Sequence, residues 1–238
     1  MDPASANAVA VGIDGCRGGW VAAVCPPHGA LSLHIARGLD DLLAIVPPNA
    51  CVLVDMILGL PDADRPTRAC DRLARRLLGR HASRVFPAPP REALSATGHA
   101  QACALARGAT GRGISLQAFH LLPKIRELDG VDDPRLREGH PELAFARLNG
   151  GGPVNASKKT EAGRRARLAL LAPHLPEAGE TYATALRHIP RATAARDDPL
   201  DALALCVLAR RPDQLRPLPG PVEPPETDRR GRPMRIWW

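Results

Sequence analysis

The stretch VAVGIDGCRGGWVAAVC, Val9 to Cys25, constrains the fold more than any other part of this chain. An apolar run, Val9 to Ile13, ends in Asp14; Gly15, Gly18 and Gly19 follow, and a second apolar run spans Trp20 to Val24. Glycine reaches the positive φ values that tight connections need, so the two runs are expected to form a β-hairpin. A carboxylate at the tip of a strand otherwise suited to a sheet interior is costly if buried alone. Asp14 therefore needs a cation, a cluster of donors or open water beside it. An Asp bonding the amides of its own turn accounts for the placement equally well.

Leu31 to Ala36 reads as a third strand, and Leu39 to Val46 as a short helix stopped by Pro47 and Pro48. CVLVD, Cys51 to Asp55, repeats the first strand's signature, a continuous apolar run ending in an acid. After a helix, such a run points to a buried parallel position in an α/β sheet. The segment from Met56 to Gly113 is expected to be largely helical, with helices at Thr67 to Leu78 and Arg91 to Arg107. Ser115 can cap a helix over Leu116 to Asp129, which Pro123 is expected to kink. Leu136 to His140 reads as a short strand, Pro141 opens a helix at its first position, and Ser157 is expected to cap a basic helix to about Leu171. Pro199 to Ala209 is apolar almost all round and should be buried.

This order of elements matches an RNase H-like α/β layout: a mixed five-stranded sheet flanked by helices, with a helical insertion between strands four and five. Residues 1–212 then read as one domain, the insertion covering about 62–130, and 213–238 as a Pro/Arg-rich tail at the surface, with Ile236 to Trp238 docking. Strands one and four of such a sheet are parallel neighbours, so Asp14 and Asp55 are expected side by side at its carboxyl edge. Acids that close repel, and a divalent cation between them relieves the repulsion.

Apolar content of 45% and charged content of 24% fit a soluble globular protein. The net charge of +7 suits a polyanionic partner such as DNA or RNA, although an Arg-rich composition produces the same charge unaided. None of the six cysteines forms a C-x-x-C pair, so reduced, mostly buried thiols in a cytoplasmic protein are expected, not a zinc site or disulfide framework. MDPASANA does not read as a signal peptide, and no apolar run approaches the ~20 residues that span a bilayer, so no membrane association is expected. Oligomeric state is left open, a homodimer among the options.

Asp198-Pro-Leu-Asp201 opens the last helix with two acids at i and i+3, on one face. A cap explains this locally: Asp198 as N-cap, Pro199 at the first position, Asp201 as the returning half of a capping box. The two strand-end acids upstream change the balance. Carboxylates from two strands and a helix start supply the all-oxygen ligand set that Mg²⁺ or Mn²⁺ requires. Glu142, after His140 and Pro141, is either a first-turn acid favoured by the helix dipole or a further ligand or general base. Lys158 and Lys159 at a helix start oppose the dipole yet suit a phosphate there; two solvated lysines are the plain alternative. Arg17 in the first turn has the same two readings, and Lys124 is a lesser candidate for backbone contact.

GIDGCRGGWVAA, VDMILGLP, CDRLARRLLGRHASRVFPAPPREAL, GRGISLQAFHLLPKIRELD, GHPELAF, SKKTEAGRRARLALL and DDPLDALAL stand in this order along the chain. Together they resemble the domain-of-unknown-function family numbered 429, described as predicted RNase H-like nucleases, from about Val11 to Ile236. Asp198 to Ala204 also resembles the acid pair in the last helix of RuvC-type Holliday-junction resolvases. The resemblance implies metal-binding positions at Asp14, Asp55, Asp198 and Asp201, with Glu142 an extra acid. One departure is Ile57, where the family usually has Pro.

The reading that joins these features is a Mg²⁺- or Mn²⁺-dependent nuclease using a carboxylate cluster in a two-metal mechanism, with Arg17, Lys124, Lys158 and Lys159 on the phosphate backbone. Two alternatives remain open. One is an actin- or sugar-kinase-like nucleotide-binding phosphotransferase, a fold that also begins with an Asp and a Gly-rich turn. The other is a non-catalytic nucleic-acid-binding module.

Overall fold

The first hairpin forms where its glycines allow it. β1 (Ala10–Cys16) and β2 (Gly19–Cys25) pair antiparallel, with Ala10 opposite Cys25 and Cys16 opposite Gly19. Gly19 has φ +138°, and a Cβ there would lie 2.1 Å from the Ala36 carbonyl oxygen, so no other residue fits the turn. β3 (Ser32–Ala36) continues the meander, α1 (Leu39–Ala44) follows, and β4 (Cys51–Asp55) returns parallel to β1. The structure, a computed structural model, describes residues 8–221 and 224–238. Of the N-terminal segment read as no signal peptide, residues 1–7 lie outside the described residues.

The chain divides into two compact units. One comprises the described residues up to Asp55, Asp133–Arg216 and Trp237–Trp238; the other comprises Met56–Asp132 and Pro217–Ile236. The second unit carries α2 (Ala69–Leu78), α3 (His99–Thr110) and α4 (Leu116–Gly130). The first unit resumes with β5 (Leu136–Glu138), α5 (Pro141–Leu148), α6 (Glu161–Leu171), α7 (Ala178–His188) and α8 (Asp198–Ala209). Its five strands lie in the order β3-β2-β1-β4-β5, with β4 parallel to β1 and β5 parallel to β4. This mixed sheet, with helices between β4 and β5, is the expected α/β arrangement and is consistent with an RNase H-like topology.

The core of the first unit lies where α8 crosses the sheet against β1, β2 and β4. Every residue from Pro199 to Ala209 is buried, as the all-round apolar pattern requires. Burying one leucine contributes about 1.5–3 kcal/mol, so Leu200, Leu203, Leu205 and Leu208 make this helix a principal source of the unit's stability. The helix reaches the sheet because position 12 has no side chain. A Cβ on Gly12 would lie 2.1 Å from the Ala202 carbonyl oxygen and 2.3 Å from the Cys206 nitrogen.

Several local expectations are corrected. The helix expected over Arg91 to Arg107 is a 3-10 turn, Arg91–Ser95, followed by α3; extended backbone at Gly98 (φ −139°, ψ 155°) separates them. α4 contains Pro123 and is capped as expected by Ser115, whose Oγ accepts from Ala118 N at 3.1 Å. The basic helix starts at Glu161, not after Ser157, because Thr160 Oγ1 takes the free Gly163 N–H at 3.1 Å. α7 was not anticipated. The tail does not simply coat the surface: Met234 and Ile236 are buried, and the Asp228 carboxylate accepts from Leu60 N at 3.1 Å and pairs with Arg91 at 2.5 Å within the second unit. All six cysteines are free, five of them buried. Among the described residues no helix is long and apolar enough to cross a membrane.

Two alanine substitutions separate these effects. Gly12→Ala forces a Cβ into helix backbone and is expected to cost at least about 2–4 kcal/mol or prevent folding, read by urea denaturation. Gly108→Ala, exposed in α3 with nothing within 4 Å of the new Cβ, is expected to stabilise by roughly 0.5–1 kcal/mol.

Candidate functional site

Parallel pairing of β1 and β4 sets Asp14 opposite Asp55 at the carboxyl ends of both strands. Asp14 is buried and Asp55 half-buried. α8 brings the other acids. Asp201, one turn into the helix, is only 2% exposed. The capping box does not form: Asp198 Oδ2 accepts from Ala195 N at 2.7 Å, upstream of the helix, while Asp201 turns its carboxylate to Lys158. The β1–β2 turn leans on the segment leading into α8, with Gly18 N donating to the Thr193 carbonyl at 2.7 Å.

Lys158 holds this cluster together. Its Nζ donates to Asp201 Oδ2 at 2.5 Å and pairs with Asp197 Oδ2 at 3.2 Å. The turn that presents it is fixed from below. The Ser157 carbonyl accepts from Thr160 N at 3.0 Å and Thr160 Oγ1 at 2.8 Å, and the Lys159 carbonyl accepts from Arg164 at 2.8 Å. A Cβ on Gly163 would lie 1.9 Å from the Ser157 carbonyl oxygen, so the turn rests directly on the α6 backbone.

Four acids near one another in an apolar frame resist ionising together. Burial, then the charges of Asp55, Asp201 and Asp198, raise the Asp14 pKa well above the usual carboxylate range. Burial pushes Asp55 up to about 6, with Lys158 opposing and Glu142 adding to the rise. Asp201 is likewise pushed up to about 6 by burial, against the pull of Lys158. Asp198 reaches about 6 through burial, despite its bond from Ala195. Burial works against the Lys158 charge, yet Asp201, Asp14 and Asp197 outweigh it and raise its pKa.

Glu142, in the first turn of α5, is engaged by a residue that sequence reasoning missed. Arg167 Nη2 donates to both carboxylate oxygens, at 3.1 and 3.2 Å. Arg167 is itself fully buried, bonds the Ala156 carbonyl at 2.9 Å and stacks 5.2 Å from the Phe145 ring. Arg17 is exposed in the β1–β2 turn and Lys159 is exposed beside Lys158. Lys124 lies on α4, in the second unit. Asp197 was also missed; its signal was the Asp197-Asp198 doublet, read as a single acid.

Hard carboxylate oxygens are the donors that Mg²⁺ and Mn²⁺ prefer, and the net negative charge of the cluster favours a cation. Asp201 Oδ1 is buried and without a hydrogen-bond partner, which leaves an acceptor for one. Among the described residues no three or more His, Cys, Asp or Glu are arranged to hold a metal ion. Lys158 neutralises Asp201 and Asp197 instead.

An α/β protein with a mixed five-stranded sheet of order β3-β2-β1-β4-β5, consistent with an RNase H-like topology, and with acids at the carboxyl edge of β1 and β4, is the class these features define. Residues 12–224 match the family described as "Protein of unknown function (DUF429)", and the chain belongs to that family. No curated protein and no solved structure matches the chain.

The raised carboxylates set the pH response. A folded-state pKa of about 6 against an ordinary 3.8 means that the folded protein binds the Asp55 proton more tightly. Its stabilising effect is complete below about pH 4 and lost as pH rises through 6. Asp55→Asn is therefore expected to match wild type near pH 4 and to exceed it by roughly 1–3 kcal/mol at pH 7 in chelator, read by urea denaturation. Parallel profiles for the two proteins would refute this.

Proposed function

We propose that this protein is a metal-dependent nuclease that hydrolyses phosphodiester bonds in nucleic acid. The observation that carries the reading is the parallel register that sets Asp14 beside Asp55, with Asp201 brought in from α8 and one of its oxygens left unpartnered. Asp14, Asp55, Asp198 and Asp201 would hold Mg²⁺ or Mn²⁺. When bound there, the cation would supply polarisation of a water and neutralisation of charge on the leaving oxygen. Glu142, held by Arg167, would act through its charge on Asp55 and Asp201, positioning the cluster without ligating it. Lys158, now bonded to Asp201 and Asp197, would turn its ammonium to a phosphate oxygen of the substrate. Lys159 and Arg17, both exposed, would hold neighbouring phosphates. The net charge of +7 supports a polyanionic substrate.

The test is a cleavage panel of single-stranded, duplex, hybrid and junction substrates with Mn²⁺ or Mg²⁺. Asp14→Asn and Asp201→Asn are expected to lose at least about 100-fold in rate, the scale of several kcal/mol of charge stabilisation. Wild-type rates in both variants, or no cleavage of any substrate by the wild type, would overturn the assignment. A second measurement reads the metal without turnover. With chelator, Lys158→Ala is expected to be less stable than wild type by about 1–2 kcal/mol, discounted because its side chain is 33% exposed. Mn²⁺ should raise its Tm more than that of the wild type; equal shifts would argue against competition for the same carboxylates.

A further inference from the structure

Three cysteines gather around Ala10, at the other end of β1 from the acids. The strand register puts Cys25 on one side of Ala10 and Cys51 on the other. From above, the Cys206 thiol of α8 donates to the Ala10 carbonyl at 3.4 Å. The Cys25 thiol itself donates to the Pro26 carbonyl at 3.7 Å, and Cys25 and Cys206 belong to the same buried cluster. Cys25 ends β2 and retains 8% exposure, whereas Cys206 is fully buried.

We infer that Cys25 and Cys206 form a redox-active dithiol that a hydroperoxide converts into an intramolecular disulfide joining β2 to α8. The Cys25 thiolate attacks one peroxide oxygen and the O–O bond breaks, giving a sulfenic acid and, after protonation, water or an alcohol. The Cys206 sulfur then attacks the Cys25 sulfur, its proton leaves with the hydroxyl as water, and the S–S bond closes. Two thiols are oxidised by two electrons and one peroxide is reduced. Position assigns the roles: Cys25, at the end of β2, keeps some exposure and meets a peroxide first, while Cys206 is fully buried behind it. Contact with Cys206 brings the Cys25 pKa down to about 7, against burial and with help from Arg210. The neighbouring Cys25 thiol, followed by burial, raises the Cys206 pKa. Burial also raises Cys51. Cys51 is two strands from Cys25, roughly 9–10 Å at ordinary strand spacing, beyond the ~7 Å limit for a disulfide.

The experiment treats the folded wild-type chain with hydrogen peroxide and counts thiols after denaturation. Two of the six are expected to disappear, leaving four, with a non-reducing peptide map that joins Cys25 to Cys206 and is reversed by dithiothreitol. In Cys206→Ala, peroxide should leave Cys25 as a sulfenic acid that dimedone traps, with no internal crosslink. A treated wild type that keeps six thiols, or whose crosslink joins any other pair, overturns the inference, as does a Cys206→Ala variant with no adduct at Cys25. The result is independent of whether the acid cluster cleaves nucleic acid.

Discussion

Backbone-to-backbone contact between α8 and β1 at Gly12 is the constraint on which the first unit depends. With no side chain between them, the helix lies close enough to put Asp198 and Asp201 near the tips of β1 and β4. The same closeness buries Leu200, Leu203, Leu205 and Leu208 and lets Cys206 bond the Ala10 carbonyl. Core packing and site geometry are therefore one arrangement. The fold brings the acids together, and burial with their mutual repulsion raises their pKa values, a local strain.

Two cations inside the protein manage that strain in different ways. Arg167 is fully buried and pairs permanently with Glu142, backed by carbonyls and an aromatic ring. It has no route to solvent and works as part of the frame. Lys158 stands on a turn braced by Thr160, Arg164 and Gly163, with its side chain still partly exposed. A flexible stem on a rigid base can exchange partners, as a point-charge ammonium does more readily than a forked guanidinium.

The strand-tip acids were legible because an unbroken apolar run closing on Asp is a pattern that few local structures besides a strand end produce. The sheet order followed from where those runs fall between helical segments. Elsewhere the signal was not distinct. Whether Asp201 closes a capping box or faces Lys158 depends on a turn some forty residues upstream, and both outcomes obey the same local rules. Arg167 looks like any arginine of a basic helix until the helix is docked, since charged residues are rarely fully buried. Placing the helix start at Ser157 failed because Thr160 competes for the same role three residues later. The tail misled through composition: its prolines and arginines suggest a solvated end, but Asp228 and Met234, like the Ile236 expected to dock, are interior residues of the second unit.

α8 has twelve residues and is therefore about 18 Å long, with sulfur chemistry toward one end and carboxylates at the other. A helix seated directly on a strand has little slack. Cys206 and the acids Asp198 and Asp201 are thus carried on one buried rod.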